Sequence, residues 1–174
     1  KMLHAGCGGG QVDSDIINYA DITGLDISTG ALNLYKRLYK DSCQVIHGSI
    51  LNIPADNESF DGVYNLGVME HFTQKDIKQI LDEFNRVLKK DGKILLFWPP
   101  KFGLSVLFLN SLHFLLNRVL KKNIRFHPEE ITKVKSRNQI KSIFKKSGFE
   151  LIGFNFGPQD LFTYVVIVGK KLDL

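Results

Sequence analysis

Four of the chain's fifteen glycines crowd into Gly6-Cys7-Gly8-Gly9-Gly10, directly after a short β-like run. Glycines in that place let the backbone turn sharply and let a ligand approach the main chain without meeting a Cβ. The dinucleotide fingerprint wants glycines at its first, third and sixth positions, and Gln11 stands where the last would fall. The spacing present is Gly-x-Gly-x-Gly, at 6, 8 and 10. Asp26 closes the next β-like run 20 residues after Gly6, where a carboxylate can accept both hydroxyls of a ribose. Separately, the loop could be an ordinary turn and Asp26 a capping aspartate. Together they point to a cofactor that carries a nucleoside.

Glu70 and His71 form a second reactive pair, just after a fourth strand-like run. That is the carboxyl edge where ligands sit in open α/β sheets. His71 is the candidate catalytic base for an acceptor hydroxyl or acidic carbon, with Glu70 beside it to orient a group. The alternative is that the pair caps the helix that follows. Two adjacent residues do not complete a coordination shell, so no metal is expected. Cys7 and Cys43, 36 positions apart, give neither a disulfide framework nor a zinc pattern, which favours a reducing, cytoplasmic compartment. His113 and His127 read as structural or substrate-facing without preference.

The elements that must position these residues follow from periodicity. Val12, Ile16 and Ala20 recur at helical spacing, predicting a helix over about Gln11 to Ala20. Ile22 to Ile27 is a strand. Ser28 can cap a helix reaching Tyr39, with Leu32, Tyr35 and Leu38 inward. Cys43 to His47 and Phe60 to Asn65 are further strands. Ile77, Ile80, Leu81, Phe84, Val87 and Leu88 mark an amphipathic helix ended by Asp91-Gly92. Lys93 to Trp98 is a strand stopped by Pro99-Pro100. Arg137 to Ser147 is a helix stopped by Gly148. Glu150 to Asn155 and Tyr164 to Lys170 close the chain as two strands joined through Gly157-Pro158. The pattern predicts an α/β fold: a Rossmann-like doubly wound sheet of seven strands, mostly parallel, with an antiparallel last strand.

In that frame, Met2-Leu3-His4-Ala5-Gly6-Cys7-Gly8-Gly9-Gly10 and Gly24-Leu25-Asp26-Ile27-Ser28 resemble the class I S-adenosylmethionine-dependent methyltransferases. His47-Gly48-Ser49-Ile50-Leu51-Asn52-Ile53-Pro54, Phe60-Asp61-Gly62-Val63-Tyr64-Asn65, Gly67-Val68-Met69-Glu70-His71-Phe72 and Arg86-Val87-Leu88-Lys89-Lys90-Asp91-Gly92-Lys93 extend the resemblance in register over about residues 1–100. The pattern is similar to the branch that includes the ubiquinone and menaquinone biosynthesis methyltransferases. It implies S-adenosyl-L-methionine as cofactor and S-adenosyl-L-homocysteine as product. The backbone at Gly6, Cys7 and Gly8 would lie beside the methionine part, Asp26 would hold the ribose and Ile27 would pack on the adenine. Ser49 and Ile50 would flank the adenine edge, while Asn65, Leu66 and Gly67 would line the methionine end. Two departures stand out. The family usually has an acidic residue where His4 stands, to fix the charged amino-acid end, and commonly Asp where Ser49 stands.

The chain reads as a single domain, 1–174, cut short at its amino-terminal end, because the glycine loop begins at residue 6. Its 23 Lys+Arg and 18 Asp+Glu give a net charge of +5, but residues 1–100 hold 10 and 13 of these, so the basic excess lies beyond residue 100. A hydrophobic then basic insertion, 101–130, is expected as a lid or interaction segment. Its amphipathic 102–125 stretch can contact an anionic membrane surface or close over a lipophilic substrate. The expected function is methyl transfer to a small, lipophilic acceptor. A catalytically silent methyltransferase-like binding module and an RNA methyltransferase are the alternatives, although no RNA-binding module accompanies the basic patch. Gln11 disfavours NAD-dependent oxidoreduction.

Overall fold

The computed structural model describes residues 1–101, 130–158 and 163–173. Most of the insertion expected at 101–130, with its 102–125 stretch, His113 and His127, lies outside the described residues.

Strand β1, Met2–Ala5, runs into the glycine loop, and β2, Ile22–Asp26, follows. Helix α1, Thr29–Tyr39, starts at Ser28, whose hydroxyl accepts the Ala31 amide at 3.2 Å. Then come β3, Gln44–His47, and β4, Phe60–Leu66. Helix α2, Gln74–Val87, leads into β5, Leu88–Trp98. Helix α3, Arg137–Lys146, precedes β6, Phe149–Asn155, and β7, Val165–Lys171. The described strands form one sheet in the order β3-β2-β1-β4-β5-β7-β6. Strands β1 to β5 pair in parallel, whereas β7 runs antiparallel to both β5 and β6. The expected seven strands and antiparallel last strand are therefore observed. From β1 the chain moves outward to β3 and then crosses back to β4, so a crevice opens at the carboxyl ends of β1 and β4.

Helix α2 shows how the sequence builds the main core. Thr73 and Asp76 form a reciprocal capping box at its start. Ile77, Ile80, Leu81, Phe84 and Val87 then share one buried face against the sheet. Each such side chain contributes about 1.5–3 kcal/mol by leaving water. Arg86, paired with Glu83, donates to the Ile53 and Ala55 carbonyls, and Glu83 accepts the Ile53 amide. That clamp ties the loop carrying Ser49 and Ile50 to α2.

Three local expectations fail. Residues 11–20 make a 3-10 turn, Gln11–Asp13, followed by irregular turns rather than a helix. Val12 is 54% exposed and Asp13 is fully buried. Leu38 is exposed, because α1 packs through Leu32, Tyr35 and Tyr39, a stripe one position away. Finally, α2 stops at Val87, not at Asp91-Gly92. Leu88 already pairs with Phe60, and the strand bulges over 89–92 before Lys93 pairs with Gly62.

Candidate functional site

The glycine loop is pinned over the end of β2. The Gly6 and Cys7 amides both donate to the Leu25 carbonyl, at 2.8 and 3.0 Å. The Gly8 amide donates to Asp26 Oδ2 at 2.8 Å, and the Ser28 amide to Oδ1 at 2.8 Å. Each carboxylate oxygen keeps a second lone pair, so Asp26 can brace the loop and still accept two hydroxyls. The two sides of the loop differ. Gly8 has φ +54°, and a Cβ there would meet nothing within 4 Å among the described residues, so bare backbone faces open space. Gly10 has φ +78°, and a Cβ there would lie 2.3 Å from the Tyr35 ring. Ile27, next to Asp26, is 72% exposed, with its carbonyl 2.9 Å from His47 Nε2.

Beneath the loop lies a buried polar cluster. Asp13 Oδ2 is 2.8 Å from His4 Nδ1 and accepts the Tyr35 hydroxyl at 2.6 Å, while Oδ1 accepts the Tyr64 hydroxyl at 2.7 Å. The His4 ring stacks on Tyr64 with centroids 4.4 Å apart. Burial pushes the Asp13 carboxyl up, but the bonds from His4, Tyr35 and Tyr64 outweigh it and hold the group below the ordinary aspartate range. Burial, with Asp13 second, drives both tyrosines above their usual range. Cys7 is pushed up to about 12 by burial and by the charges of Asp26 and Asp13. It remains a thiol and an inert loop residue.

The carboxyl edge of β4 carries unspent acceptors. Asn65, fully buried, donates through Nδ2 to the Ala5 carbonyl at 2.7 Å, and its Oδ1 has no partner among the described residues. Glu70 Oε2 is likewise buried without a partner among the described residues, and burial raises this carboxyl above the ordinary range. Gly67, after Leu66, packs so closely that a Cβ would lie 3.3 Å from the Tyr164 hydroxyl and 3.5 Å from Glu70 Oε1. His71 ends a 3-10 turn, Met69–His71, and is exposed. The pair does not cap α2; Thr73 does. Ser49 accepts the Leu51 amide at 3.2 Å, and the Ile50 side chain belongs to the main core, leaving only its backbone for a ligand.

Gly6, Gly8, Asp26, Asn65 and Gly67 thus converge on the crevice, with Ile27 and Ser49 on its β2–β3 flank. Sequence reasoning missed Asp13, Tyr64 and Tyr164. Asp13 carried the one available signal, an acidic residue between Val12 and Ile16 just after the loop.

A parallel sheet of this order, with a glycine loop after β1 and an acidic residue ending β2, defines a nucleoside-cofactor domain of the methyltransferase kind. The methyltransferase domain family matches residues 3–96, over half of the chain, and the chain belongs to that family. It is an S-adenosylmethionine-dependent methyltransferase. An uncharacterized protein of Methanocaldococcus jannaschii is 30% identical over 94% of this chain and 68% of its own length. The ubiquinone/menaquinone biosynthesis C-methyltransferase of Campylobacter jejuni is 25% identical over 89% of this chain and 68% of its own. The crystal structure of an S-adenosylmethionine-dependent methyltransferase from Methanosarcina mazei shares the fold, with TM-score 0.75 and 18% identity over 98% of this chain and 92% of that one.

Proposed function

We propose that this chain transfers the methyl group of S-adenosylmethionine to a small, lipophilic acceptor. The observation that carries the reading is the pairing at the end of β2: bare backbone at Gly8 beside Asp26, whose two oxygens each take one backbone amide and keep a lone pair open. The cofactor's ribose offers two hydroxyls, so the open lone pairs of Asp26 fit it. Asp26 would take the ribose, Ile27 the adenine face, and Asn65 to Gly67 the methionine end. When bound, the cofactor supplies a methyl already activated on a sulfonium. The protein's work is then alignment and exclusion of water. His71 is the proposed base for an acceptor that must lose a proton.

The acceptor class draws on the quinone methyltransferase named above and on a cavity of about 820 Å³ between α2, α3 and residues 130–135. Ile77, Trp98, Ile131 and Ile143 give it apolar walls, while Lys78, Lys101, Glu130, Lys133, Lys135 and Lys146 also line it and give it a basic character. A lipophilic acceptor would reach the enzyme from an anionic membrane surface through residues 102–125. No described helix is long and apolar enough to cross a membrane. Incubation with radiolabelled cofactor, a lipophilic hydroquinone and, in parallel, RNA tests the proposal. Label is expected in the organic phase. Label in RNA alone would overturn the acceptor class, and cosedimentation with anionic vesicles tests the route.

A further inference from the structure

We propose that Asp13 is a positioning residue for the cofactor. It holds His4 with the proton on Nδ1, so that in the bound state His4 Nε2 accepts a hydrogen bond from the cofactor's α-ammonium group. This rests on the reading that S-adenosylmethionine binds at the glycine loop.

The geometry fixes what His4 does at Nδ1. Asp13 has no exposed surface, and three donors converge on it from β1, α1 and β4. A buried carboxylate is tolerated when its lone pairs are met by donors. As an ionised acid it can only accept, so the His4 nitrogen facing it must donate. Stacking on Tyr64 fixes the plane of the ring. A neutral imidazole that donates through Nδ1 has its lone pair on Nε2. Among the described residues His4 bonds through Nδ1 alone. Nε2 is not one of the sealed, unpartnered atoms, which are Thr23 Oγ1, Asn65 Oδ1, Glu70 Oε2 and Ser147 Oγ. His4 keeps only 2% of its surface, one residue before the end of β1, and Nε2 shares in it. A carboxylate behind the ring also makes Nε2 a stronger acceptor. Asp13 with His4 thus supplies, in two residues, the acidic function that position 4 lacks.

Titration calorimetry with S-adenosylhomocysteine on the full chain tests this. Asp13→Asn keeps the shape but removes the charge, and affinity is expected to fall roughly tenfold, the weight of one hydrogen bond to a charged group. His4→Asp alone sets two buried carboxylates side by side and is expected to unfold readily. The double variant His4→Asp/Asp13→Asn puts the carboxylate on β1 and is expected to recover affinity to within about threefold of wild type. Equal affinity of wild type and Asp13→Asn, or no recovery in the double variant, would overturn the proposal. Failure of wild type to bind would instead overturn the cofactor reading beneath it. Should the variants not fold, 15N resonances of His4 in the saturated wild type decide the matter. Nδ1 is expected to carry the proton and Nε2 to shift on binding. A proton on Nε2, or no shift, contradicts the assignment.

Discussion

Replacing Gly10 with alanine is expected to cost stability, whereas the same change at Gly8 is expected to cost cofactor binding. Both glycines have positive φ, so each variant carries the left-handed penalty of about 1–2 kcal/mol. At Gly8 nothing further is expected, because the added methyl enters open space. At Gly10 the methyl would lie 2.3 Å from Tyr35 Cδ2 and 2.5 Å from Cε2. Tyr35 cannot step aside: it is fully buried and its hydroxyl is held on Asp13. Overpacking of that kind costs about 1–3 kcal/mol, for a total of roughly 2–5 kcal/mol at Gly10. Against a whole-domain stability of about 5–15 kcal/mol this is a large share. Urea unfolding followed by circular dichroism measures the stability of each variant, and titration with S-adenosylhomocysteine measures binding. Gly8→Ala is expected to lose at least about tenfold in affinity, since its methyl occupies the side where the cofactor lies against the main chain. Equal destabilisation by the two changes would refute the two-sided description of the loop. So would undiminished binding by Gly8→Ala.

The sign of the Glu70 effect is fixed by its burial. The folded chain holds a proton on Glu70 at pH values where the unfolded chain has released it. The resulting stability is full below the unfolded carboxylate range and is lost as pH rises. Glu70→Gln is therefore expected to stabilise the protein near neutral pH by about 1 kcal/mol, with little gain in acid; a lower melting temperature near neutrality would contradict this. Cys7, held as a thiol, is expected to react with iodoacetamide far more slowly than a free cysteine thiol at mildly alkaline pH, and peptide mapping that found it labelled first would count against its described environment. Thr73→Ala removes half of a capping box and is expected to cost about 1 kcal/mol in urea unfolding; no change would show that α2 does not depend on its cap.

What was legible from the sequence was whatever local chemistry dictates. The loop glycines, Asp26 at the end of β2, the Ser28 cap and the α2 stripe all declare themselves within a few residues. The segment after the loop did not, because Val12, Ile16 and Ala20 mimic an inward helical face. The reason they turn outward is the burial of Asp13, whose partners lie 9, 22 and 51 residues away. No window of sequence holds that cluster together. The early end of α2 has the same origin: pairing of Leu88 with Phe60 overrides Asp91-Gly92 as a stop. His4 shows the consequence for the site. Taken alone, it is a lost acidic residue, and His4→Asp would look like a repair. Beside Asp13 it is one half of a buried pair, and the same change becomes a collision of charges. The acceptor side stayed least legible, since its basic residues are spread over 101–146 without a motif.

The most direct test of the account is a calorimetric titration of S-adenosylhomocysteine into the wild type and into Asp26→Ala. Asp26 both braces the loop through the Gly8 amide and offers its free lone pairs to the ribose. Saturable binding by the wild type, weakened by at least about tenfold in Asp26→Ala, is the predicted result. Absence of binding by the wild type at millimolar ligand, or equal affinity in the two proteins, would contradict it.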